Sequence, residues 1–152
     1  MEKRMWTREQ LEQRIKDLGL QGRCWGRTGR AAVEEIEQAL GFELSSEIRS
    51  FGEVIGNLIV VPFELIVCGS EDGAISCVTE TAVIRRTGNP YASKLVQIMD
   101  HAGESYVGVA GSQEVRCYDA FYVTEGQETQ SFSGLQQFMD WLFEEAMAQK
   151  GE

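Results

Sequence analysis

The sequence has few residues from which a conventional metal or catalytic centre is built. It contains one histidine and four cysteines, and none of the cysteines has the CxxC spacing of a zinc site. The cysteines are Cys24, Cys68, Cys77 and Cys117. Cysteines outside oxidising compartments rarely pair, and a buried free cysteine behaves as a small apolar residue. We therefore expect four reduced, mostly buried thiols, no metal site and no cofactor.

Long hydrophobic runs are also absent. The longest apolar stretch, residues 58–67, is interrupted by Pro62 and Glu64, whereas a membrane-spanning helix needs about 20 apolar residues. The first six residues lack the apolar stretch of a signal peptide. The sequence predicts a cytoplasmic protein that does not enter a membrane.

The common enzymatic signatures are missing as well. There is no Walker loop, no GxGxxG, no HExxH and no GxSxG. His101 follows Asp100 in a predicted turn, so a nucleophile pair with Cys77 or Cys117 is conceivable. A solvated turn histidine explains the same pattern more simply. We expect the protein not to be an enzyme.

Basic residues are few, and this shortage limits the class of partner. Fourteen lysines and arginines face 24 acidic residues, which gives a net charge of −10. Nucleic-acid binders carry basic patches, so direct binding to nucleic acid is not expected. Residues 1–30 reverse the balance, with eight basic and four acidic side chains. Three interpretations stay open: a basic N-terminal helix held against an acidic body, an acidic face presented to a cationic protein, and an acidic surface kept for solubility.

Apolar residues at helical spacing predict four helices, over residues 7–18, 32–40, 46–55 and 133–147. Helix caps are predicted at Thr7, at Ser45 or Ser46, and at Ser133. Gln10 completes a capping box with Thr7, Gln136 does so with Ser133, and Gly41 is a natural helix stop. The glutamates between the apolar positions, such as Glu34 and Glu37, are expected on solvated faces.

Short β-rich runs separated by turn signals predict the rest of the core. The predicted strands cover residues 58–63, 65–68, 74–78, 95–99, 105–109 and 115–118. Turns at 71–73 and 100–103 are read as hairpin turns, 79–86 as a short helix, and 21–30 as a loop. The chain is therefore predicted to be one α+β domain over residues 1–152, in which an antiparallel sheet from residues 58 to 119 packs against N-terminal helices and a C-terminal helix. Residues 1–30 are its basic helix and loop, and residues 31–147 are its core.

Three stretches of the sequence resemble a known family. Residues 33–44, VEEIEQALGFEL, are similar to the helix and leucine-glycine link that open the SUKH superfamily of Smi/Knr type. Residues 95–119 resemble the hairpin and next strand of that family, and residues 132–142, FSGLQQFMDWL, resemble its terminal helix. Ser45 stands in place of the usual proline, and Gly56-Asn57 reverses the usual Asn-Gly. The resemblance covers roughly residues 28–147.

The resemblance implies a role in protein binding rather than catalysis. Bacterial members of the family are mostly immunity proteins that neutralise a cognate toxin, often a nuclease, whereas fungal relatives scaffold or regulate other proteins. We expect a non-catalytic domain that neutralises a cationic toxin, with a scaffold or regulatory module as the alternative. Acidic residues that flank strands or turns are the predicted partner-binding positions: Glu71, Asp72, Glu80, Asp100, Glu104, Asp119 and Glu125. Three adjacent acidic pairs, Glu34-Glu35, Glu71-Asp72 and Glu144-Glu145, could in principle hold a divalent cation. Adjacent residues of a helix point about 100° apart, so only the turn pair Glu71-Asp72 could converge on one ion, and a polar turn is the simpler explanation.

Overall fold

Helices and antiparallel sheets form the α+β fold that the sequence patterns predict. The computed structural model describes residues 6–86, 92–119 and 127–151, and within these ranges it has five α-helices and two sheets. The helices are α1 (Arg8–Asp17), α2 (Arg30–Leu40), α3 (Ser46–Val54), α4 (Cys77–Arg86) and α5 (Leu135–Lys150). The strands are β1 (Gly22–Trp25), β2 (Asn57–Val60), β3 (Phe63–Ile66), β4 (Leu95–His101), β5 (Glu104–Val109), β6 (Val115–Asp119) and β7 (Gln127–Phe132). No described helix has the length and apolar content that crossing a bilayer requires.

The two sheets have the simple antiparallel orders β1-β2-β3 and β4-β5-β6-β7. Helix α5 packs on the second sheet, where the ring of Phe138 lies 5.3 Å from that of Tyr106. The next residue of β5, Val107, points to the opposite face and clusters with Ile84 of α4. The second sheet is therefore covered by α5 on one face and by α4 beside β4 on the other.

Three predictions about the strands and loops are wrong: one loop, one strand and the C-terminal limit of the sheet. Residues 21–30 are not a continuous loop, because β1 lies within them and pairs with β2. Residues 74–78 form no strand: α4 begins at Cys77, and the turn at 71–73 belongs to a loop between β3 and α4. The sheet also extends past residue 119 to β7, whose four residues 128–131 are all exposed. Such short or polar strands carry no hydrophobic alternation, so only pairing within the fold defines them.

The predicted helix ends are mostly confirmed, with one exception. Thr7 and Gln10 form the capping box, Ser45 caps α3, and Gly41 ends α2 in the left-handed conformation. Ser133, however, does not cap α5, because Gly134 occupies the cap position without a side-chain bond. A carboxylate oxygen of Glu47 on α3 accepts the backbone N–H of Gln136 at 3.3 Å instead. A negative side chain from α3 thus accepts a hydrogen bond at the N-terminus of α5 and interacts favourably with the positive end of its dipole.

Arginines hold the basic N-terminal segment against the rest of the chain. The Arg8 guanidinium donates to the carbonyls of Ile55, Trp25 and Gly26 at 2.8 to 2.9 Å. Arg14 lies 4.2 Å from the ring centre of Phe143. These contacts favour the interpretation in which the basic helix α1 is held against the body of the protein. The arginines of α1 contact mainly backbone carbonyls and aromatic rings, and acidic side chains to a smaller extent.

Asn57 is the fully buried first residue of β2. Its amide nitrogen donates to the carbonyls of Trp25 (2.7 Å) and Gly69 (2.9 Å). Its amide oxygen accepts the backbone N–H groups of Val67 (3.1 Å) and Gly69 (2.7 Å). The side chain therefore uses both donors and both acceptor sites, and it joins β1 to the segment that follows β3.

Replacing this amide should destabilise the fold strongly. We expect Asn57→Ala to lower the free energy of unfolding by about 3 kcal/mol, because four buried backbone groups lose a partner. Urea denaturation followed by circular dichroism measures the change. Gln38→Ala, at an exposed position of α2, is the control and should change stability by less than about 0.5 kcal/mol. A loss below about 1 kcal/mol for Asn57→Ala would contradict the role assigned to this side chain.

Candidate functional site

Six of the seven predicted partner-binding residues lie in the described part of the chain, and Glu125 lies outside it. Glu71 and Asp72 are in the loop between β3 and α4, and Glu80 is on α4. Asp100, Glu104 and Asp119 are at the ends of β4, β5 and β6. The prediction therefore separates into a loop pair and a group near one end of the second sheet.

The group at the sheet end is brought together by the strand register. Asp100 lies just before the turn between β4 and β5, and Glu104 just after it. Glu104 and Asp119 are direct partners across β5 and β6, so two like charges face each other on adjacent strands. The rings of Phe63 and His101, 4.5 Å apart, bring the start of β3 to the same place.

Glu80 on α4 is electrostatically coupled to two other acidic residues at this end of the sheet. Burial raises the pKa of the Glu80 carboxyl, and the nearby charges of Asp100 and Glu64 raise it further. Glu64 is exposed in the middle of β3 and was not among the predicted residues. Its polar position within an apolar strand was the available signal. We call the five carboxylates the acidic sheet end: Glu64, Glu80, Asp100, Glu104 and Asp119.

The acidic sheet end differs from the acidic residues of α2 in its lack of counter-charges. On α2, Glu34 pairs with Arg30 at 3.0 Å, and Glu37 pairs with Arg49 at 2.9 Å. Within the described residues, no lysine or arginine forms a salt bridge with any of the five carboxylates of the acidic sheet end. Their field is therefore uncompensated by close ion pairs and extends into solvent.

The prediction that Glu37 lies on a solvated face is wrong. Its side chain is only 15% exposed, and one carboxylate oxygen accepts from Arg49 and from the backbone N–H of Leu44 at 2.8 Å. This hydrogen bond and charge raise the pKa of Arg49. Glu37 fixes the link between α2 and α3.

The loop pair has a different character. Asp72 accepts the hydroxyl of Ser70 at 2.6 Å and the backbone N–H of Ala74 at 3.0 Å, and these bonds lower its pKa. Its hydrogen bonds thus organise the loop itself. No group of three or more histidine, cysteine or acidic residues in the described chain could hold a metal ion, so a shared cation at Glu71 and Asp72 has no third ligand there.

The cysteines and the histidine do not form a nucleophile pair in the described part of the chain. Cys117 is fully buried, and its thiol donates to a carboxylate oxygen of Glu104 at 3.0 Å. Burial and this bond raise its pKa to about 11, which disfavours the reactive thiolate at neutral pH. Burial also raises the pKa of Cys77. His101 is not a solvated turn residue, since it ends β4 and its ring packs at a tilted angle against that of Phe63.

Comparison with known proteins identifies no relative of this chain. No protein-family model matches the sequence, and a search of curated proteins finds no match.

The burial of Glu80 and the repulsion around it should be visible in the pH dependence of stability. A raised folded-state pKa means that folding favours the protonated carboxyl, so this contribution is present below the unfolded pKa of about 4.3 and is lost as the pH rises through the folded pKa. We expect Glu80→Gln to stabilise the protein at pH 7 by about 0.5 kcal/mol, because the N-terminal end of α4 offsets part of the repulsion.

Thermal unfolding at pH 7 and pH 3.5 tests this expectation. The gain from Glu80→Gln should shrink at pH 3.5, where the wild-type carboxyl is protonated in both states. Glu71→Gln, an exposed loop position, is the control for a change in net charge. A destabilised Glu80→Gln protein at pH 7, or an equal gain at both pH values, would contradict the assignment.

Proposed function

We propose that this chain is a non-catalytic immunity protein of SUKH type that neutralises a cationic toxin through its acidic sheet end. The observation that carries the proposal is the set of five neighbouring carboxylates without a described basic partner. Keeping like charges together costs stability, so their grouping favours a role outside folding. A cationic protein surface would remove the repulsion.

A nuclease is the toxin class that fits this surface best. An enzyme that binds a polyphosphate chain needs a basic groove, and that groove must be covered if the enzyme is to be inhibited. Carboxylates spaced along a rigid sheet end present charge of the opposite sign to such a groove. Complementary fields also accelerate the encounter of inhibitor and enzyme.

The positions that resemble the SUKH family, or depart from it, have defined structural roles, and these roles support the proposal. Gly41 ends α2 in the left-handed conformation at the leucine-glycine link. Ser45 accepts the backbone N–H of Ile48 at 3.2 Å, so a cap replaces the usual proline. In the reversed pair, Gly56 has a φ of +80° and Asn57 carries the buried amide network. Both departures keep a helix start and a turn at the expected places.

The proposed absence of catalysis is supported by the chemistry of the thiols. Burial raises the pKa of Cys24 and of Cys68 to about 11. Both values favour the unreactive thiol form at neutral pH. The chain offers charge and shape to a partner, and the partner would supply the enzymatic activity.

The proposal predicts that charge at the sheet end, rather than net charge, controls binding. Asp100→Asn with Asp119→Asn should slow association with the toxin about three- to tenfold at low salt and should change dissociation less. Glu9→Gln with Glu53→Gln alters net charge equally, at two helical positions without a described salt bridge, and should leave the rate nearly unchanged. Stopped-flow fluorescence at 20 and 300 mM NaCl measures both pairs. The difference between them should fall at the higher salt, where charges beyond about 8 Å are screened.

The first partner to test in this experiment is the product of a gene adjacent to the one that encodes this chain. Co-expression should protect cells from that gene product, and the purified complex should lack nuclease activity. Equal association rates for the two double variants would contradict the sheet-end assignment. Capture of a non-toxic host protein in place of the neighbouring product would favour the scaffold or regulatory alternative. Glu71, which is exposed, stays a predicted contact, and Glu71→Gln tests it in the same assay.

A further inference from the structure

Strand β7 is an open edge of the second sheet. It pairs with β6 on one side, and β6 is the only strand hydrogen-bonded to it within the described residues. Residues 128–131 are all exposed, although successive residues of a strand point to opposite faces. Within residues 6–86, 92–119 and 127–151, the outer backbone N–H and C=O groups of β7 therefore have no strand partner, and residues on both faces of the strand are exposed.

Few of the usual devices protect this edge. Natural edge strands are commonly blunted by proline, by charged residues such as lysine, by β-bulges or by covering segments. Strand β7 contains no proline or lysine, and its protective features are one charged residue, Glu128, and one irregularity. A register shift lies beside Thr129, whose hydroxyl contacts the carbonyl of Cys117 at 3.4 Å and a carboxylate oxygen of Glu104 at 3.3 Å. These contacts hold the irregular residue Thr129 against β6 and β5. They do not use the backbone groups on the outer side of β7.

The charges around β7 indicate which kind of strand fits there. Asp119 pairs with the first residue of β7, and Glu104 lies one strand further in. On β7 itself, Glu128 is the one charged residue, and it lies 3.6 Å from Arg116. A second copy of the chain would bring another net charge of −10 to this edge. An extended basic segment meets complementary charge instead.

We propose that the outer edge of β7 binds an extended, basic segment of the partner, which adds a fifth strand to the second sheet. The inference rests on the proposed function only in taking the partner as cationic. Backbone hydrogen bonds would supply affinity, and the adjacent carboxylates would select lysine and arginine side chains. The acidic sheet end and the edge then form one continuous binding surface, because Asp119 belongs to the first and pairs with β7 in the second.

The first test uses a synthetic nonapeptide of alternating lysine and valine as a strand probe. A matched peptide with the same charge carries an N-methyl group on every amide, so neither of its edges can donate backbone hydrogen bonds to a ladder. A third peptide has glutamate in place of lysine. Amide chemical shifts and hydrogen exchange of residues 128–131 report binding. We expect the lysine peptide to slow exchange there and to bind at least tenfold more tightly than either of the other two.

Proline substitutions provide the matched variants. Backbone groups of successive strand residues point alternately toward β6 and away from it, so one of Gln130 and Ser131 directs its N–H outward. Proline at the outward position should keep the fold and lose the peptide, whereas proline at the inward position should destabilise the sheet. Circular dichroism and urea denaturation show which variant is which.

Four results would overturn the inference. They are no binding at 2 mM peptide, equal binding of the N-methylated peptide, unchanged binding to the outward proline variant, and dimerisation of the chain alone that this variant abolishes. Equal binding of the lysine peptide and its N-methylated match would contradict strand addition at β7. It would remain consistent with electrostatic binding at the acidic sheet end. Conversely, peptide binding at β7 in a protein that captures no toxin would contradict the proposed function and retain the edge.

Discussion

The buried amide of Asn57 is the constraint on which the arrangement of the rest depends. Its four hydrogen bonds fix the end of β1, the start of β2 and the chain after β3 relative to one another. Space around it is tight, since a Cβ atom at Gly26 would collide with the carbonyl of Gly69. From Gly69 the chain enters the loop that leads to α4, whose first residue donates its N–H to the Val67 carbonyl. The network therefore sets where α4 begins, and with it the position of Glu80.

The features that sequence reasoning predicted are those encoded within a few residues. The capping box at Thr7, the serine cap at Ser45 and the left-handed stop at Gly41 each depend on contacts within one turn. The α+β class follows from the order of such segments. The missed features depend on distant partners. Strand β1 is defined by its pairing with β2, in which Trp25 lies opposite Asn57, 32 residues further along the chain. The cap of α5 comes from Glu47, 89 residues before Gln136.

The acidic residues show the same division. A local rule that favours carboxylates beside strands and turns placed Glu80, Asp100, Glu104 and Asp119 in the candidate site, and the register then brought them together. That rule omitted Glu64, because it lies inside a strand. It also could not separate Glu37 from other helical glutamates, since the partner of Glu37 is Arg49, 12 residues further along the chain. Charge pairing in the folded state, which local patterns do not encode, distinguishes the structural acids from the candidate binding acids.

Aromatic rings pack against one another beside the strands that carry the acidic sheet end. Phe63 contacts both His101 (4.5 Å) and Trp141 of α5 (5.9 Å), and Trp141 also lies 5.4 Å from Tyr106. Aromatic packing of this kind contributes about 0.5 to 1.5 kcal/mol for each pair beyond burial, enough to offset the repulsion of a few half-exposed like charges. The strands that carry the acids are thereby held in place while their charges stay unpaired. A cationic partner would then gain twice, because it meets a preorganised surface and relieves a repulsion already present in the free protein.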